Sequence, residues 1–193
     1  MTDATGSRAL LRGGTLPYDV IRRAIDLVVA SVLVILLLPL YPIIALAITL
    51  DSRGPVIFRQ QRVGRDGRLF WLLKFRSMIA NADPVLHQKY VRRLLSVSSS
   101  PTPQESRQLY KVVRDPRVTR VGRVLRTTSI DELPQLINVL KGEMTLVGPR
   151  PDLPYAVEDY EPWQRKRLLV VPGITGLWQV SGRSRLSPRE MMA

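Results

Sequence analysis

The chain has 193 residues, a formal net charge of +13, one histidine and no cysteine. Set aside an apolar segment and a polar N-terminal tail, and that length holds one modest domain, not two. The missing cysteines exclude a disulfide framework and a thiolate metal site. The lone His87 excludes a histidine-rich cluster and reads as a solvated surface residue. Charge of this size points to polyanionic partners: anionic lipid heads, phosphorylated substrates or nucleic acid.

Residues 1–16 are small, polar and glycine-containing, the composition of a mobile tail. They do not form a cleaved secretory signal, because the apolar run begins late, is too long and lacks a small-residue cleavage site after it. From Leu27 to Leu50 the chain carries no charge, long enough as a helix to cross a hydrocarbon core of roughly 30 Å. Pro39 and Pro42 lie within it. Each removes a backbone donor and crowds the preceding turn, so a kink or break is expected near Leu38–Pro42. Arg22 and Arg23 precede the run, and Arg53, Arg59, Arg62, Arg65 and Arg68 follow it. Positive charge stays on the cytoplasmic side. A helix that starts near Pro17, enters, breaks at proline and returns satisfies both flanks and places Arg22, Arg23 and Asp26 near the membrane interface. The reading is a re-entrant anchor over 17–50 carrying a cytoplasmic domain over 51–193. A single span with a proline kink is the rival.

Beyond the anchor, Pro55–Val63 and Leu69–Phe75 read as strands joined through Gly64 and Asp66-Gly67, a β-hairpin. Lys74 and Arg76 alternate with apolar residues, which fits a strand with one polar face or one lining a site. Residues 78–97 read as helix, 98–103 as loop and 104–113 as helix, with Asp115-Pro116 closing this stretch. Thr119 is placed to cap a short helix through Arg126. Ser129–Gly142 reads as a further helix, with Leu133, Leu136, Ile137 and Leu140 on one stripe and Gly142 beyond its end. Its start has two readings: a Ser129–Glu132 capping box, or Asp131 as N-cap with Pro134 in the first turn. The tryptophans Trp71, Trp163 and Trp178 are expected in the core, with the membrane interface as the alternative. The fold class is α+β.

Asp131-Glu132 is the sharpest chemical feature. Capping explains any acidic pair at a helix start, but here Arg117, Arg120, Arg123 and Arg126 precede it and Arg150 follows. Arginines and a helix terminus are expected to lower the carboxylate pKa and to attract phosphate. An ionised carboxylate beside a phosphate can hold Mg²⁺ or attack phosphorus. Gly148-Pro149-Arg150-Pro151 fixes two φ angles and aims one guanidinium, suited to bidentate phosphate recognition or simply exposed on a rigid turn. Pro172–Gly176 reads as a turn into a short strand, whose glycines could offer backbone donors to an anion.

Five segments, taken in order, resemble one family: Arg53–Gly64, Lys74-Phe75-Arg76-Ser77-Met78, Thr128–Gly142, Val147–Pro151 and Pro172–Gly176. They resemble the bacterial polyprenyl-phosphate sugar-phosphate transferases, monotopic phosphoglycosyl transferases that begin lipid-linked glycan or exopolysaccharide assembly. The likeness runs from about Tyr18 to the end of the chain. It implies a membrane helix broken at proline, on the cytoplasmic face of the bacterial inner membrane. It implies transfer of a sugar phosphate from a nucleotide diphosphate sugar to polyprenyl (undecaprenyl) phosphate. Asp131 would be the nucleophile of a covalent aspartyl intermediate, Glu132 its support or a metal ligand beside it, and Mg²⁺ the cofactor. Lys74, Arg126 and Arg150 would bind substrate phosphates, with Arg183 a further candidate. Membrane lipids are implied partners; nucleic acid is not. The chain departs from the family in an insert over 81–115, in having no spans ahead of the anchor, and in stopping at Ala193. There Ser187-Pro188-Arg189-Glu190 signals a helix start, so further helix and fuller activity are expected of a longer chain. Two rivals remain: a membrane-tethered nucleic-acid module, which lacks a reader motif and whose arginines alternate with apolar positions, and a non-catalytic adaptor, against which the intact Asp131-Glu132 pair argues.

Overall fold

The computed structural model describes residues 16–80 and 115–176. Two helices come first, α1 (Leu16–Leu37) and α2 (Leu40–Asp51). The break falls at Leu38–Pro39, inside the expected window, and the two axes bend by 62°. The prolines explain its place. Pro39 occupies the N-cap of α2 with φ −66°, and Pro42 falls in the first turn of α2, where a missing N–H has no helical partner to lose. Tighter bonds bridge the break, from Leu38 N to Ile35 O and from Tyr41 N to Leu38 O, both 3.3 Å. Among the described residues no single helix is long and apolar enough to cross a membrane, whereas the bent pair is when taken together.

The hairpin of β1 (Ile57–Val63) and β2 (Leu69–Phe75) forms as expected, antiparallel from Ile57 opposite Phe75 to Val63 opposite Leu69. Its tip is a 3₁₀ turn, Arg65–Gly67, in which Asp66 and Gly67 both take positive φ. Strand pleating then decides which residues turn inward. Phe70 and Leu72 enter a core with Ala30 of α1 and with Leu136, Val139 and Met144. Further along the same row come Lys74 and Arg76. Trp71 points the other way and is 54 % exposed, as is Leu69 at 57 %. The expectation that Trp71 lies in the core therefore fails, because it alternates with the buried pair. Trp163 is half-buried, and Trp178 lies outside the described residues. A second core joins Ile44 and Ile48 of α2 to Phe75 and Leu125.

Met78 bridges to Val118, and Ile79 N donates to Arg117 O at 2.8 Å. The helix expected from residue 78 thus does not include residues 78–80. The rest of it, the loop 98–103 and the helix 104–113 lie outside the described residues. Thr119 caps α3 (Arg120–Thr128) through Gly122 N at 2.9 Å, and the helix runs two residues past Arg126.

The largest local departure follows. Ser129 takes φ +61° and closes α3, so it cannot cap the next helix. Neither expected start holds. Ile130–Glu132 forms a separate 3₁₀ turn, Pro134 takes the N-cap position, and α4 is only Gln135–Lys141. Gly142 ends α4 at φ +82° as expected. The buried side of α4 is Gln135, Leu136, Asn138 and Val139, while Ile137 is 37 % exposed. Asn138 replaces an apolar contact because it serves the edge of β2: its Oδ1 accepts from Leu73 N (3.1 Å) and its Nδ2 donates to Trp71 O (2.8 Å).

Strand β3 (Thr145–Val147) pairs in parallel with β4 (Gly173–Thr175), and between them lie α5 (Pro154–Glu158) and a 3₁₀ helix, Gln164–Leu169. Gly148 and Gly173 cross in direct contact. A Cβ on Gly173 would sit 2.1 Å from Gly148 N, which no side chain can meet. Gly173 N donates to Pro149 O at 2.8 Å, so this glycine of Pro172–Gly176 has no donor left for an anion.

Candidate active site

Lys74 ends the buried row of β2, Asp131 and Glu132 occupy the 3₁₀ turn before α4, and Arg150 follows β3. The fold brings these segments together on one oxygen. Glu132 Oε1 accepts from Lys74 Nζ and from Arg150 Nη2, each at 2.8 Å. The three side chains are 16 %, 19 % and 31 % exposed for Lys74, Glu132 and Arg150. Both cations are thus within reach of an incoming anion while held in place by the carboxylate between them.

Asp131 differs from its neighbour. It is 8 % exposed, and among the described residues its carboxylate takes part in no hydrogen bond or ion pair. Burial pushes its pKa up, against the charges of Lys74, Arg126 and Arg150, with Glu132 adding to the rise. Glu132 goes the opposite way. Burial alone would raise it, but the charges and hydrogen bonds of Arg150 and Lys74 together prevail and hold it at about 2. The expectation that basic surroundings lower both carboxylates is therefore correct for Glu132 and wrong for Asp131, because desolvation without a paired donor outweighs charge at a distance. Lys74 is pushed down by burial and by Arg150.

Arg126, in the last turn of α3, is exposed, and its charge reaches Asp131. Arg117 instead pairs with Asp115 at 2.7 Å. Arg76 continues the row of Lys74 but is 5 % exposed and donates to Ile48 O and Ser52 O, closing the end of α2. Arg183 lies outside the described residues. Sequence reasoning missed the support behind Arg150. Arg62, opposite Phe70 in the hairpin, donates to Pro151 O at 3.1 Å. Burial and the charge of Arg150 lower its pKa to about 10. Arg167 donates to Arg150 O and lies beside Asp152. The hairpin register, which places Arg62 in the inward row, was the available signal.

The helices α1 and α2 also reach this site. Tyr41 OH of α2 donates to Leu133 O at 3.2 Å, next to the acidic turn. Asp26 of α1 is 6 % exposed and accepts from Thr145 Oγ1 (2.6 Å) and Leu146 N (3.0 Å). Arg22 donates to Val147 O and Arg23 to Val139 O and Leu140 O. These residues, expected near a membrane interface, bind α1 to the domain.

Among the described residues no group of three or more acidic, histidine or cysteine side chains could enclose a metal. Two adjacent carboxylates, one of them unpaired, instead suit Mg²⁺, which binds through one or two carboxylates and completes its shell with substrate phosphate and water.

A turn carrying two carboxylates, fixed between cations and beside an apolar helix pair, has the charge pattern that suits a phosphorylated ligand. A profile of the bacterial sugar transferase family matches residues 17–193, and the chain belongs to that family. It is 44 % identical over 167 residues to a UDP-galactose-lipid carrier transferase of Erwinia amylovora, covering 86 % of this chain and 34 % of that protein. It is 43 % identical over 177 residues to the UDP-glucose:undecaprenyl-phosphate glucose-1-phosphate transferase of Caulobacter vibrioides, covering 88 % and 58 %. Against the exopolysaccharide production protein ExoY of Sinorhizobium fredii, identity is 40 % over 167 residues, covering 86 % and 71 %. The chain thus spans about a third of the first of these relatives.

The Glu132 pairing has a definite pH signature. Its folded pKa, about 2, lies below the ordinary 4.5, so between these values the unfolded chain binds the proton first. The stabilisation is complete above about pH 4.5 and is lost as pH falls toward 2. Glu132→Gln strands both cations and should cost about 2 kcal/mol at pH 7, a partly exposed pair losing less than a buried one. Denaturant unfolding of both proteins from pH 6 to pH 3 should show this gap narrowing; a gap independent of pH would contradict the pairing.

Proposed function

We propose that this chain transfers a sugar phosphate from a nucleotide diphosphate sugar to polyprenyl phosphate at a membrane surface, through a covalent intermediate on Asp131. The observation that carries the reading is the contrast within the acidic pair. The oxygen Oε1 of Glu132 is held by two cations, whereas the Asp131 carboxylate is desolvated and unpaired, so its lone pairs are available to attack.

In the first step an Asp131 oxygen attacks the phosphorus that bears the sugar. The bond from that phosphorus to the bridging oxygen breaks, and a nucleoside monophosphate leaves with the electron pair. In the second step an oxygen of polyprenyl phosphate attacks the same phosphorus, the bond to Asp131 breaks, and the carboxylate is restored. Lys74 and Arg150 face the phosphate charge, with Arg126 contributing from α3, and Glu132 keeps the two nearer cations aimed. Mg²⁺, held by Asp131 or Glu132 with substrate phosphate, would supply further charge neutralisation. The names of the relatives make UDP-galactose and UDP-glucose the first donors to try.

The test is release of nucleoside monophosphate in the presence of polyprenyl phosphate and Mg²⁺. Asp131→Asn should reduce turnover roughly a thousandfold or more while unfolding at the same or a higher temperature. The stability sign follows from the raised pKa: at neutral pH the ionised, buried Asp131 opposes folding, and Asn removes that charge. Near-normal turnover by this variant would refute the assignment. No turnover by the intact chain with any nucleotide sugar would favour a non-catalytic member of the fold.

For localisation, we read α1 and α2 as a re-entrant anchor on the cytoplasmic face of the inner membrane. One side of the pair packs on the domain. The other leaves Val28, Val32, Ile35 and Leu36 of α1 and Ile43, Leu46 and Leu50 of α2 between 49 % and 79 % exposed, a surface suited to lipid. With no native cysteine, single cysteines at Thr2 and Ser99 can be probed in intact cells with an impermeant thiol reagent. Protection of both is expected; labelling of one alone would show a true span. Replacing Pro39 and Pro42 together with Leu should favour a continuous helix and expose one of the two sites.

A further inference from the structure

The loop Gly148–Asp152 carries Arg150, and four successive carbonyls in it are hydrogen-bonded from three different elements, β4, the 3₁₀ helix Gln164–Leu169 and β1. Pro149 O accepts from Gly173 N (2.8 Å), Arg150 O from Arg167 Nη2 (3.3 Å), Pro151 O from Arg62 Nη1 (3.1 Å) and Asp152 O from Val63 N (2.9 Å). Prolines at 149 and 151 already fix φ on either side of Arg150. A surface turn does not need this. Full engagement of the main chain gives the Arg150 side chain, which reaches Glu132 Oε1, a rigid mount.

Arg167 is the unusual member. It comes from the 3₁₀ helix Gln164–Leu169, is 13 % exposed, and spans two groups at once, since its Nη1 lies 3.6 Å from Asp152 Oδ2 while its Nη2 holds Arg150 O. Asp152 is in turn held by Tyr160 OH. A planar fork can bridge a carbonyl and a carboxylate in fixed geometry; a point charge cannot. A guanidinium so largely buried, set against the main chain of Arg150, makes good sense if the position of Arg150 matters.

We propose that Arg167 is a positioning residue that fixes Arg150 for contact with the phosphates of the substrate. The proposal rests on reading Arg150 as phosphate-facing. It touches no substrate itself, so its effect must pass through Arg150.

A double-mutant cycle on the full chain in detergent tests this, with inorganic pyrophosphate and Mg²⁺ as the probe and calorimetric affinity as the readout. Arg150→Met should weaken pyrophosphate binding. Arg167→Met should weaken it about tenfold in the wild-type background and by less than twofold when Arg150 is already Met. In turnover assays the same variant should raise KM for the nucleotide sugar with the KM for polyprenyl phosphate little changed. If Arg167→Met does not fold, Arg167→Lys keeps the stem and charge, lacks the fork and carries the same expectation. Equal losses in both backgrounds, or no loss in the first, would overturn the proposal. Failure of the intact chain to transfer any sugar phosphate would sink the proposed reaction instead, while the pyrophosphate cycle would still judge Arg167.

Discussion

Oxygen Oε1 of Glu132 accepts from Lys74 and Arg150 at 2.8 Å each, and through it the end of the hairpin, the acidic turn and the loop after β3 are tied together. Neither cation is well placed without it. Both are substantially removed from water and repel each other, as the lowered pKa of Lys74 records. A carboxylate between them offsets that repulsion, and breaking such a group by removing one partner costs more than the group contributes as a whole. The arrangement also assigns different work to two adjacent acids. Glu132 is committed to the cations, and Asp131 is left desolvated and unpaired.

The helices α1 and α2 belong to this arrangement and are not merely attached to it. Asp26 and Arg22 bind β3, which leads directly into the Arg150 loop, and Arg23 closes the end of α4. Arg76 closes the end of α2 from the hairpin side, and Tyr41 reaches the acidic turn. Most of these contacts place a polar side chain on backbone atoms at a helix end or strand edge. A domain docked in this way on its apolar helices would present its site at a constant height above a lipid surface, which suits one lipid-bound and one soluble substrate.

Much of this was legible from residue order. Two prolines in an uncharged run marked the helix break, period-two alternation with Asp66-Gly67 marked the hairpin, and Thr119 and Gly142 marked their caps. The acidic pair and Arg150 stood out by charge and by stiff neighbours. What could not be read depended on contacts distant in sequence. Ser129 closes one helix instead of opening the next, because Pro134 and the left-handed residue before it divide a stretch whose periodicity looks continuous. Burial, not the nearby arginines, sets the direction for Asp131. Arg22, Arg23 and Asp26 look like interfacial charges until β3 and α4 are seen against them. Arg167 carries no local signal, since its role depends on a carbonyl seventeen residues earlier.

The account stands or falls on Asp131 as the covalent centre. The chain should be incubated with Mg²⁺ and a donor that supports turnover, without polyprenyl phosphate, then digested and its peptides weighed. The account predicts a sugar-phosphate mass on the peptide containing Asp131, released when polyprenyl phosphate is added. Product formation with no such adduct, or an adduct on any other residue, would contradict it.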